Sequence, residues 1–443
     1  MWIDRRSCEN AWVPKAWWAT GCAAAAMATA TAAIAGGAAA AGTLADRPII
    51  DATKHPAIAY FTRPTHDPLA DLTRRVEAGT ATLTFDARAG WLPSVLEALQ
   101  VPVSSQMLVM SKTGVQGLDT GPDNPRAIFF TDTITVGYIR GASLLEFAVH
   151  DPENGVVFYT IDQKPQVRPA IDRRSGCITC HQVYRTLHVP GLLARSVFVA
   201  PDGLPLGQLT SFDPDDRTPF HQRWGGWYVT GTHGSMRHMG NAIVANPRER
   251  DAAISDRTLN RTSLDGLFDP GGYPSRHSDI AALMVFQHQV HMTNLITRIG
   301  WETRIASQDG RVDFAASPLR DGIREFVDYL LFADEQPLTA PIRGTTGFAE
   351  MFSALGPADT QGRSLRQLDL ERRLLRYPCS YMIYTPAFTA LPAEAKQAVY
   401  TRMWEILSGR DTDAKYSRIT AADRAAVVDI LRETLPDVRS TFH

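Results

Sequence analysis

Between residues 126 and 161 apolar and polar positions alternate in short runs. Residues 127–130, 134–139, 144–149 and 156–161 are rich in β-branched and aromatic side chains, and turn residues separate them. That pattern predicts half-buried strands. Asp151-Pro152-Glu153-Asn154-Gly155 predicts a tight hairpin. Residues 106–111 read as a further strand. Residues 192–200 and 206–212 read as two more, joined across Pro201-Asp202-Gly203. Short helices are expected at 68–79 and 92–100, and a loop at 165–176.

From Ser278 the period changes to that of a helix. Ile280, Leu283, Met284, Gln287, His288, His291, Leu295 and Ile299 recur at three- and four-residue steps, so residues 279–301 predict one long helix capped by Ser278 or Asp279. Further helices are expected at 318–332, 365–376, 392–407 and 421–434, the last opened by Thr420 with Asp423 at its third position. Strands therefore precede helices, the ordering of an α+β fold: a β-hairpin-rich N-terminal and central region, then a mainly helical C-terminal region. The chain divides into a leader at 1–45, a mixed β-rich region at 46–165, a middle region at 166–277 and a helical region at 278–443.

The leader changes the picture first. Arg5, Arg6 and Lys15 precede a long Ala-rich apolar stretch, and Ala39-Ala40-Ala41 and Leu44-Ala45-Asp46 offer small-residue cleavage sites. This is the three-part form of a secretory signal peptide. It predicts a periplasmic or extracytoplasmic protein with no integral membrane segment beyond the leader; an uncleaved anchor is the alternative. Without the leader the chain loses three Lys/Arg and two Asp/Glu, and its net charge moves from −2 to −3. Such a balance argues against nucleic acid as a partner.

Cys177-Ile178-Thr179-Cys180-His181 carries the chemistry. C-x-x-C-H is the attachment signal of a c-type haem. Two thiols three positions apart each form a thioether to one vinyl group, and the next residue, His181, supplies an axial nitrogen to the iron. A zinc site would need a second ligand pair at matched spacing, and Cys379 stands alone, as a core cysteine would. One motif implies one covalently attached haem c. Cys177, Cys180 and His181 are therefore the expected cofactor-binding residues.

The segment from Arg217 to Asn246 is dense in Gly, Trp, His and Met, the residue types a haem pocket uses. Met239 and His238 are candidate distal ligands, so the iron ligands expected are His181 and Met239. Trp227 is a candidate pocket wall and Arg223 a candidate partner for a haem propionate. Packing and ordinary hydrogen bonding explain the same residues individually. His288 and His291, on the long helix, read as core or groove histidines.

Ser111-Lys112-Thr113, Val136-Gly137-Tyr138-Ile139-Arg140-Gly141, the haem pentapeptide, Arg223-Trp224-Gly225-Gly226-Trp227-Tyr228 and Leu374-Leu375-Arg376-Tyr377-Pro378-Cys379-Ser380-Tyr381 together resemble a family of exported bacterial proteins described as cytochrome c domain-containing. The resemblance spans nearly all of the chain after the leader. It implies haem binding and electron transfer with a redox partner protein, and names no substrate. Three functions stand beside one another: a one-electron carrier, a haem enzyme with an open distal iron position, and a haem-based ligand sensor.

Overall fold

The alternating runs meet in one antiparallel sheet. The computed structural model describes residues 43–207, 211–315 and 318–443. Its sheet has seven strands: β1 Met107–Val109, β2 Arg126–Phe130, β3 Ile134–Tyr138, β4 Leu144–Asp151, β5 Gly155–Asp162, β6 Ile171–Arg173 and, out of sequence, β9 Trp227–Tyr228. Their order is β6-β5-β4-β3-β2-β1-β9. Alternation sets the register. Phe129, Val136, Phe147 and Tyr159 pair across β2 to β5 on one face. That face packs against helices α1 Pro68–Glu77 and α2 Leu92–Ala98 through Leu69, Leu72, Trp91 and Val95.

The opposite face carries Ile128, Gly137, Glu146 and Thr160 in one cross-strand row, and Phe130, Thr135, Ala148 and Phe158 in the next. Helix α4, Ile280–Gln308, covers part of it: Phe286 meets Phe130 with ring centroids 5.2 Å apart, and Thr297 bonds His150. Asp279 caps α4 by accepting from the Ala281 and Ala282 amides. The helix runs past Trp301 to Gln308 and tolerates the isolated Gly300, ending before Asp309-Gly310. It is buried on nearly every side, so it is the central helix of the molecule rather than a surface one. Its polar residues find partners inside; Asn294, for example, bonds both the amide and the carbonyl of Leu192.

Around α4 pack α5 Leu319–Leu330, α6 Phe348–Ser353, α7 Pro386–Thr389 and α8 Ala393–Leu407, and α9 Ala421–Thr434 packs on α8. Thr420 and Asp423 form the expected capping box on α9. The architecture is α+β. Cys379 is fully buried, and burial pushes its thiol proton affinity up. No helix among the described residues is long and apolar enough to cross a membrane.

Three expectations about elements need correction. Residues 365–376 are not a helix. Asp369 turns its carboxylate onto the Glu371 and Arg372 amides, Leu370 adopts a left-handed φ of 56°, and Leu368 bridges Leu375 antiparallel. A side chain that bonds its own backbone competes with the helix. The loop at 165–176 contains edge strand β6, which pairs with β5. Of 192–200 only β7, Ser196–Val197, is a strand; it pairs with β8, Ser211–Phe212, in the expected second hairpin. Residues 208–210 of that hairpin, and residues 1–42 of the leader, lie outside the described residues.

Candidate functional site

Strand β6 leads directly into the C-x-x-C-H motif. The Arg174 amide donates to Phe158 O and its Nε to Thr160 Oγ1, which fastens the chain to β5 just before the motif. A 3-10 turn at Ser175–Cys177 then passes into the short helix α3, Ile178–His181. The helical spacing puts Cys177 and Cys180, three apart, on one face. Both thiols are free; Cys180 is exposed and Cys177 half-buried. Burial, with Glu146 adding to it, raises the Cys177 thiol's proton affinity.

His181 is held at both ends. Its carbonyl accepts from the Gly191 amide at 2.9 Å and from Thr186 Oγ1 at 3.2 Å. Its ring packs on Phe158, centroids 4.8 Å apart. Nδ1 lies 3.0 Å from Gly191 O. A carbonyl only accepts, so Nδ1 carries the proton and Nε2 carries the lone pair. Burial lowers the imidazole's proton affinity below its ordinary value, which favours the neutral ring. Leu187 and His188, both at positive φ, fold residues 182–190 back so that Gly191 reaches the ring.

The sheet face beneath the motif is only partly covered. Ile128, Thr135, Glu146 and Ala148 are half-buried along it, while Phe158 and Thr160 are buried beside His181 and Arg174. Arg126, Val109 and Trp227 form a further row on the same face. Trp227 is thus brought to the motif's side of the sheet, where its Nε1 donates to Arg195 O at 2.7 Å. The extended chain from Gly191 to Ser196 links it to His181.

The other candidates stand elsewhere. Met239 packs with Phe198 and Val244, and Ser196 Oγ donates to its Sδ at 3.6 Å. It lines a cavity of about 430 Å³ together with Phe212, His221, Arg237 and Ile254. His238 is buried among Phe220, Trp224 and His233, and its Nδ1 accepts from the Gly240 amide. Neither residue shares a hydrogen bond or ring contact with Cys177, Cys180 or His181. Arg223 spends its guanidinium on Thr218 O and Asp216 O. His288 is buried in the core and His291 half-buried beside it: His288 bonds Asp216 and Ser380, and His291 bonds Arg217.

The donor set fits a covalently held haem. Two unpaired thiols share a helical face next to an imidazole whose Nδ1 is engaged and whose Nε2 is not, the arrangement that orients a metal-binding histidine. No group of three or more His, Cys, Asp or Glu among the described residues is placed to hold a bare metal ion; thioether attachment asks the thiols to meet carbon, and only the imidazole to meet iron. Three neighbours of the motif escape sequence reasoning: Gly191, Arg126 and Glu146. The last two left a signal, because charged residues inside two apolar strands, with Gly137 on the strand between them, mark a site where side chains must approach. No protein-family model, curated protein or solved structure matches the chain.

Proposed function

We propose that the chain is an exported single-haem c-type cytochrome, with the haem attached through Cys177 and Cys180 and His181 as its proximal ligand. The bound haem would supply one-electron iron chemistry. The observation that carries this reading is the His181 ring, pinned through Nδ1 to Gly191 O immediately after two free thiols on one helical face. The chain's own part is to fix that imidazole's tautomer, to shelter it against Phe158 and to keep the thiols accessible for attachment. The leader's form and the resemblance to cytochrome c domain-containing proteins favour the same compartment and the same chemistry, with a redox partner protein as donor or acceptor.

Expression with a cytochrome c maturation system tests this. The protein should stain for haem on a denaturing gel, and the Cys177→Ala/Cys180→Ala double variant should not. A double variant that kept haem through acid–acetone extraction would sink the reading.

The contacts of Met239 and His238 favour a second reading, a haem whose distal iron position stays open to a small molecule. Optical spectra separate the two. A low-spin haem that turns high-spin in Met239→Ala or His238→Ala belongs to a six-coordinate carrier. A high-spin haem that neither substitution changes belongs to an open site.

A further inference from the structure

Arg126 carries a guanidinium that donates no hydrogen bond within the protein and meets only the carboxylate of Glu146 as an ion pair. It stands at the head of β2 with its side chain on the motif's face of the sheet and only 18% exposed. Nε and Nη2 are buried with no hydrogen-bond partner, and no other nitrogen of the group donates a hydrogen bond. Every other arginine with a buried unpartnered nitrogen donates from another of its nitrogens: Arg47, Arg195, Arg298, Arg366, Arg373, Arg402 and Arg424 all do. A buried donor without an acceptor is costly and uncommon. The guanidinium forms an ion pair with Glu146, whose Oε2 lies 3.3 Å from Nη2.

The surroundings are built for this pair. Gly137 lies opposite Glu146 on β3, and a Cβ there would sit in ordinary van der Waals contact with both side chains. Gly114 lies over the guanidinium so closely that a Cβ would collide with it. Gln116, from the same turn, donates to Glu146 Oε1 at 3.1 Å. The pair lies on the motif's face of the sheet: Glu146 stands opposite Thr160 on β5, and Thr160 Oγ1 accepts from Arg174 Nε, three residues before Cys177.

We propose that Arg126 receives a propionate carboxylate of the haem, with Glu146 orienting the guanidinium and offsetting its charge. This rests on the haem reading above and replaces Arg223 as the propionate's partner. A guanidinium presents a planar fork that matches a carboxylate, and a haem brings two carboxylates of its own. Arg126 is a positioning and tuning residue, not a ligand to iron.

The test uses the haem-loaded protein and Arg126→Gln, Arg126→Lys and Glu146→Gln, each first stained for covalent haem. Redox titration then gives the midpoint potential. Oxidised haem carries one more positive charge than reduced haem, so losing a nearby cation should lower the midpoint and losing a nearby anion should raise it. Arg126→Gln should therefore fall, Glu146→Gln should rise, and Arg126→Lys should stay near the wild type. The propionate bending band in the resonance Raman spectrum should shift in Arg126→Gln. If that variant does not fold, Glu146→Gln still reads the sign of the charge effect on the midpoint. Covalent haem with unchanged midpoints and an unmoved propionate band would overturn the proposal alone. A wild-type protein without covalent haem would overturn the haem reading and this proposal with it.

Discussion

At the scale of single residues, the buried polar groups divide by whether their partners are complete. His288 lies between Asp216 Oδ2 and Ser380 Oγ, each at 2.6 Å, and stacks on Phe332 and Tyr329. The order is that of a hydrolase triad. Yet His288 and Ser380 are fully buried, and Ser380 Oγ also accepts from the Met382 amide, so the array serves packing. Removing the imidazole leaves a buried carboxylate without its partner. His288→Ala should cost about 3–5 kcal/mol in urea unfolding, and Ser380→Ala about 1 kcal/mol; equal, near-zero costs would contradict this. Titration adds a second expectation. Burial, reinforced by Asp216, pushes Glu335 up to about 8, and burial lowers His150 and His291 to about 4. Folded Glu335 keeps a proton that the unfolded chain loses at the ordinary value of 4.5, so its contribution falls as pH rises toward 8. The two histidines act oppositely, their contribution rising with pH between 4 and 6.5. Of these three groups, Glu335 alone acts between pH 6.5 and 8. Glu335→Gln should flatten the decline of the unfolding midpoint there, and an unchanged slope would contradict that origin. Cys177, Cys180 and His181 were legible from spacing alone. Arg126 was not, because its meaning lies in the cross-strand register that sets it beside Glu146.

At the scale of elements, strands and long helices were legible because burial repeats with their period, and the exceptions have local causes. The 365–376 stretch has apolar spacing that suits a helix, but Asp369 takes two of its own amides, and Arg366 leaves to pair with Asp132. Strand β6 and strand β9 are too short to show a period. Helix α4 depends most on one residue. Asp279 Oδ1 caps its first turn, while Oδ2 accepts from the Thr345 and Thr346 amides and from Thr346 Oγ1. Asp279→Ala would strand several buried donors at once, so a loss of at least about 2 kcal/mol is expected in chemical denaturation. A loss below about 0.5 kcal/mol would place the cap outside the helix's stability.

At the scale of the whole molecule, the C-x-x-C-H motif and the start of the described chain are tied together. Leu44 is fully buried, with its amide on Glu325 Oε2 at 2.9 Å. Ala45 O lies 2.7 Å from His188 Nε2, and Arg298 joins Leu187 O to Arg47 O. The loop that brings Gly191 to His181 therefore leans on residues 44–47. A leader ending at 45 would remove Leu44 from the core, so the proposed export reading requires processing before Leu44. Intact mass of the exported protein should place its first residue before Leu44, and a start at Asp46 would contradict that packing. The central claim is the covalent haem, and mass spectrometry of the denatured, protease-digested protein tests it most directly. The peptide that spans Cys177 to His181 should carry one haem joined through both sulfurs. The same peptide recovered from a fully matured preparation with two free thiols, or with a Cys177–Cys180 disulfide, would contradict it.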